Sequence, residues 1–229
     1  MTMTEEMNPN KTARIAGGLY LLLLPLGILG LLYVPSAIIV AGDTAATTRN
    51  ILANETLFRL SIVSALLVQL VNIFVVLFLY KLLNPVNKRM ALLMVIFSLL
   101  AVPIAMLSEI NKAAVLLLLN DADPSLSLVA LFLDLHEVGI QIASIFWGLW
   151  LFPMGYLVFK SNYLPQIIGV LLMIGCVGYL VDSLAFFLFP DFGMTFSQFT
   201  FIGELVLPLW LLIKGVNVEQ WEKRTLKFA

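Results

Sequence analysis

The chain has 229 residues, of which 61% are hydrophobic and 12% charged, with a mean hydropathy of +1.02 and a formal net charge of −1. Soluble domains are about 45–50% apolar and about a quarter charged, so a soluble enzyme and a disordered chain are excluded, and the charge argues against a nucleic-acid binder. The single cysteine, Cys176, excludes a disulfide framework and any multi-cysteine metal site.

What remains is an all-α fold, a polytopic helical membrane bundle. A bilayer core of about 30 Å needs about 20 apolar residues in a helix. In chain order, the apolar runs predict six transmembrane helices near 14–41, 56–82, 89–119, 126–159, 163–189 and 195–214, the last interrupted by Glu204. Lys11 and Arg14 precede the first run as in a signal peptide, but the run is far longer than a signal core of about 7–15 residues and reads as a retained helix. Turn chemistry separates the later spans: Asn84-Pro85 with Asn87, Asn120 to Pro124, Ser161-Asn162 and Pro190-Asp191-Phe192-Gly193. The longest connection, Asp43 to Glu55, is too short for a domain, so residues 1–229 are expected to form a single transmembrane domain with a cytoplasmic tail at 215–229. That tail mixes Trp221, Leu226 and Phe228 with Lys223, Arg224 and Lys227, the pattern of an interfacial anchor. Tyr80, Tyr156, Tyr163 and Trp210 fall where an aromatic belt is expected at the inner interface.

Orientation follows from the basic residues. With both termini cytoplasmic, Lys11, Arg14, Lys81, Lys88, Arg89, Lys160, Lys214, Lys223, Arg224 and Lys227 lie inside, against Arg49, Arg59 and Lys112 outside. This is a positive-inside distribution. The expected setting is a plasma membrane.

Ionisable residues within spans cost about 2.5–3.5 kcal/mol each on insertion scales, so their positions carry information. Arg59, Glu109, Lys112, Asp134, His136, Glu137, Asp182 and Glu204 fall at roughly 5–16 Å from the outer ends of their helices, at 1.5 Å per residue. Five carboxylates thus share a layer with two permanent cations. The excess calls for protonation, a bound cation or a water-filled cavity. Asp134, Glu137, Gln141, Ser144 and Gly148 form one stripe on the fourth span, with His136 at its edge. Asp134, His136, Glu137, Asp182, Glu204 and Arg59 are therefore the candidate ligand- or cation-binding residues, while Glu109 and Lys112 read as a structural pair. On the second span, Ser61, Ala65, Gln69 and Asn72 form a small, polar face expected to meet that stripe, with Gln69 and Asn72 as hydrogen-bonding glue.

The segment Ala13-Arg14-Ile15-Ala16-Gly17-Gly18-Leu19-Tyr20 and the stretch Asn50-Ile51-Leu52-Ala53-Asn54-Glu55 before Leu57-Phe58-Arg59 resemble the prokaryotic membrane-protein family called domain of unknown function 4386. So do Leu79-Tyr80-Lys81-Leu82-Leu83-Asn84-Pro85-Val86-Asn87, Leu133-Asp134-Leu135-His136, Tyr163-Leu164-Pro165, Gly178-Tyr179-Leu180-Val181-Asp182-Ser183 and Gly203-Glu204. The resemblance implies a six- or seven-helix bacterial or archaeal membrane protein. It implies no activity.

Three functions fit the residues. One is binding or transport of a small cation, proton or cationic solute, entered from outside and carried by the acids. Another is a structural or partner subunit whose buried charges fix helix packing. The third is an intramembrane enzyme in which His136 and carboxylates hold one divalent cation that activates water; with a lone histidine that ion would be oxygen-ligated Mn or Mg. HExxH, GxSxG and Gly-rich phosphate-loop patterns are absent from the sequence. The expected partners are the lipid bilayer and a small cation or solute, not nucleic acid.

Overall fold

The computed structural model describes residues 8–121, 123–189 and 193–226, and every regular element among them is a helix. The turn at Pro190-Asp191-Phe192 and the tail residues Lys227 and Phe228 lie outside the described residues. The helices are α1 (Pro9–Gly27), α2 (Val34–Ile38), α3 (Thr44–Ala53), α4 (Glu55–Leu83), α5 (Lys88–Leu118), α6 (Leu126–Ser161), α7 (Gln166–Leu188), α8 (Ser197–Thr200), α9 (Ile202–Ile213) and α10 (Val218–Leu226). A π-helical stretch, Ile28–Tyr33, joins α1 to α2. Five helices are long and apolar enough to cross a membrane, starting with the continuous Pro9–Ile38. The count reaches six when Ser197–Ile213 and Val218–Leu226, bent by 99°, are taken as one span. The chain is a multi-pass helical membrane protein.

Local chemistry explains the boundaries. Asn8 accepts the Lys11 amide at 3.0 Å with Pro9 at the first helical position, and Asn87 accepts the Met90 amide at 3.1 Å at the start of α5. Asp43 caps α3 through the Ala46 amide at 2.8 Å. The π stretch lies between Pro25 and Pro35, where the helical hydrogen-bond ladder already lacks donors and a wider turn is tolerated.

Three elements differ from the sequence expectation. The connection between the first two long helices holds α3, which buries Thr47, Thr48 and Ile51 instead of running as a loop. The expected span at 195–214 is broken at Phe201 into α8 and α9. Pro208 removes a further donor, and Gly215 (φ +69°) turns the chain into α10. The tail is a docked helix whose Trp221 is buried against protein; its indole donates to the Leu82 carbonyl at 3.0 Å. Tyr163 is likewise no belt residue, since it is buried and its phenol donates to that carbonyl at 2.8 Å.

The chain divides into two compact units. The first comprises Met1–Leu21, Asn72–Ala101 and Ser144–Ala229. Small residues let its backbones approach closely. A Cβ on Gly17 would stand 2.7 Å from the Pro208 carbonyl oxygen, and one on Gly148 would stand 2.8 Å from Tyr179 Cβ. Asn72 Nδ2 donates to Ser98 Oγ at 3.0 Å, joining α4 to α5. The second unit comprises Leu22–Val71 and Val102–Ala143. Its apolar cluster is Val34, Ile38, Ile51, Phe58, Val115, Leu116 and Val129. Here the expected meeting of Ser61 and Ala65 with the α6 stripe gives way to another packing. A Cβ on Gly30 would lie 3.0 Å from the Ser61 oxygen and the Ala65 nitrogen, so the π-helical stretch occupies that face. Just before it, Ser64 Oγ of α4 donates to the Leu26 carbonyl at the end of α1 at 2.8 Å.

Candidate functional site

In the second unit, α5 and α6 pack so tightly that a Cβ on Gly139 would overlap Ser108 Oγ. This contact sets Glu109 of α5 opposite His136 of α6. His136 Nε2 lies 2.9 Å from Glu109 Oε1, and Lys112 Nζ lies 3.2 Å from Glu109 Oε2. A carboxylate that faces an ammonium accepts hydrogen bonds only, so Nε2 is the donor. Glu109 and Lys112 are 3% and 1% exposed, a pair taken fully out of solvent, and one turn of helix holds it together. Both members were legible from their spacing; the third partner, His136, was not.

Next to this triad lies a cavity of about 400 Å³. Its polar lining is Lys112, Asp134, His136 and Glu137, and its apolar wall includes Leu31, Pro35, Ile39 and Ile140. Asp134 and Glu137 are exposed, and among the described residues neither has a basic partner within ion-pair distance. Arg59 is turned elsewhere: its guanidinium binds Glu55 at 2.7 Å on an exposed surface. The structure thus brings Asp134, His136 and Glu137 to one cavity and adds Lys112 to it.

Asp182 and Glu204 belong to the first unit and have their own neighbours. Both Asp182 oxygens accept backbone amides, from Phe196 at 2.6 Å and Ser197 at 2.8 Å, so this carboxylate closes the N-terminal end of α8. Glu204 Oε2 accepts the Tyr20 phenol at 3.4 Å, and the Tyr179 phenol is a second hydrogen-bonding neighbour of the same carboxylate. The Tyr20 and Trp150 rings meet in a tilted contact, their centroids 5.8 Å apart. Sequence reasoning passed over Tyr20, although a phenol inside an apolar run was a usable signal. Among the described residues, no three His, Cys, Asp or Glu side chains converge closely enough to hold a metal ion.

A family described as "Domain of unknown function (DUF4386)" matches residues 15–215. An uncharacterized protein from Archaeoglobus fulgidus is 31% identical over 160 residues, which cover 70% of this chain and 86% of that protein. No solved structure matches the chain significantly.

Proposed function

The chain belongs to the DUF4386 family, and from that premise we propose that it binds a small cationic solute in the cavity of its second unit, from the outer face of a bacterial or archaeal plasma membrane. One observation carries the reading. The only cation lining the cavity among the described residues, Lys112, is paired with Glu109, while Asp134 and Glu137 are unpaired. The lining therefore holds two uncompensated negative charges. Its apolar wall excludes water from one side and strengthens their field. A volume of about 400 Å³ falls within the 300–1,000 Å³ or so usual for small-molecule sites. Transport of that solute would follow from the same site, with the proline-bearing helices as the parts able to move.

The test is a melting series on purified protein at constant ionic strength. An organic cation at about a hundredfold its Kd should stabilise the fold by about 2.7 kcal/mol. Asp134→Asn and Glu137→Gln should each weaken that gain without changing the melting point of the unliganded protein. Identical curves with and without cations would refute the site. The structural-subunit reading has one specific observation in its favour: Asp182 serves α8 as a cap, and a residue of that kind fixes packing without binding anything.

A further inference from the structure

The polar groups of the cavity specify more than the sign of the solute's charge. Glu109 takes the Nε2 hydrogen of His136, so in the neutral ring Nδ1 is left as an acceptor, and no described residue donates to it. Asp134 and Glu137 add carboxylate oxygens, which also accept. On this side the cavity offers acceptors only. Lys112 is the opposite case. Its side chain is 1% exposed, it lines the cavity, and its sole partner among the described residues is the Glu109 carboxylate. An ammonium has three hydrogens, and the Glu109 oxygens at 3.5 and 3.2 Å engage at most two of them, so at least one is unspent in a buried position, where an unmet donor is costly.

Resting on the reading of this cavity as a cation site, we infer that its solute is a protonated amine that also carries a hydroxyl or carbonyl oxygen. The N–H hydrogens meet Asp134, Glu137 and His136 Nδ1, and the oxygen accepts from Lys112. A quaternary ammonium has the charge but no hydrogens to give. A bare metal ion could be held by the carboxylates and water, but it brings no acceptor to the Lys112 ammonium and repels it. The class is that of amino alcohols and amino amides.

The experiment compares ethanolammonium, ethylammonium, tetramethylammonium and sodium chlorides on the purified full chain, at one pH and ionic strength, by calorimetric titration and thermal shift. Ethanolammonium should bind at least about tenfold tighter than ethylammonium, and ethylammonium at least about tenfold tighter than tetramethylammonium, from the hydrogen bonds each lacks. Sodium should give no shift. The comparison uses unmodified protein, so no variant need fold; Asp134→Asn, at an exposed position, should lower all amine affinities together. Tetramethylammonium binding as tightly as ethylammonium would overturn the N–H requirement, and equal affinity for ethylammonium and ethanolammonium would overturn the Lys112 contact. Either result leaves the cation site standing. Absence of binding by every amine would overturn the site itself.

Discussion

Replacing Gly139 by alanine tests whether the α5–α6 contact holds the triad together. The new Cβ would overlap Ser108 Oγ and lie 2.9 Å from Ser108 Cβ. Non-bonded carbons rest at about 3.5–4.0 Å, so the two helices must part here by about 0.6 Å or Ser108 must rotate. Rotation breaks the bond from Ser108 Oγ to the Ile104 carbonyl, 2.9 Å long, and leaves the Cβ clash in place. Parting lengthens the 2.9 Å link from His136 to Glu109 to about 3.5 Å, beyond the range of a sound N–H···O bond. Overpacking of this kind costs about 1–3 kcal/mol, and a hydrogen bond to a charged group adds about 1.5 kcal/mol, so Gly139→Ala should destabilise by about 2.5–4.5 kcal/mol. Adding Ser108→Gly removes both Oγ and Cβ and leaves the nearest Ser108 atom, its Cα, at 3.7 Å. The double variant should regain most of the loss, a coupling measured by unfolding wild type, both single variants and the double in mixed micelles of mild and denaturing detergent. Gly139→Ala within about 0.5 kcal/mol of wild type, or no rescue by Ser108→Gly, would refute the argument.

Lys112→Met leaves the buried Glu109 with His136 alone and should cost about 3–5 kcal/mol in the same assay, while Lys112→Met combined with Glu109→Gln should cost less than the single change. Asp182→Ala strips two amides of their acceptor and should cost about 0.5–2 kcal/mol, the range for losing a cap, with Asp182→Asn milder. Burial pushes the Tyr163 phenol above its ordinary value. Its contribution to stability is therefore complete below about pH 10 and lost as pH rises beyond that, so wild-type melting points should drop there and Tyr163→Phe should flatten the drop. Reporter fusions after Lys88 and after Phe228 should read cytoplasmic and one at Thr47 external, with an external signal at Phe228 contradicting the placement of the C-terminus.

The long helices were legible because an apolar run of membrane length has one stable outcome in lipid. α4, α5 and α6 begin and end within a residue or two of their predicted limits, since Asn84-Pro85 and Asn87 leave the chain little choice. What escaped was set by partners distant in sequence. The face presented by Ser61 and Ala65 was correct as a face, but which helix would fill it depended on Gly30, and no periodicity connects them. His136 was placed beside Glu137 by adjacency on one helix, whereas its bond goes to Glu109, 27 positions earlier, because the Gly139–Ser108 contact fixes the rotation of α6. Asp182 is served by backbone amides, which have no signature in a sequence.

The carbonyl of Leu82 ties the end of α4 to two donors, Tyr163 and Trp221, that follow it by 81 and 139 residues. A ribosome adding about 5–20 residues per second delivers the second of these roughly 7–28 s after the first part of the joint exists. Membrane insertion of α4 therefore cannot complete its own end, and the joint closes only once α10 has been made. This makes the docking of α10 a checkpoint of biogenesis. A chain released early, or extended by a bulky fusion that holds α10 away, would carry every long helix and still expose an unfinished seam to quality-control proteases.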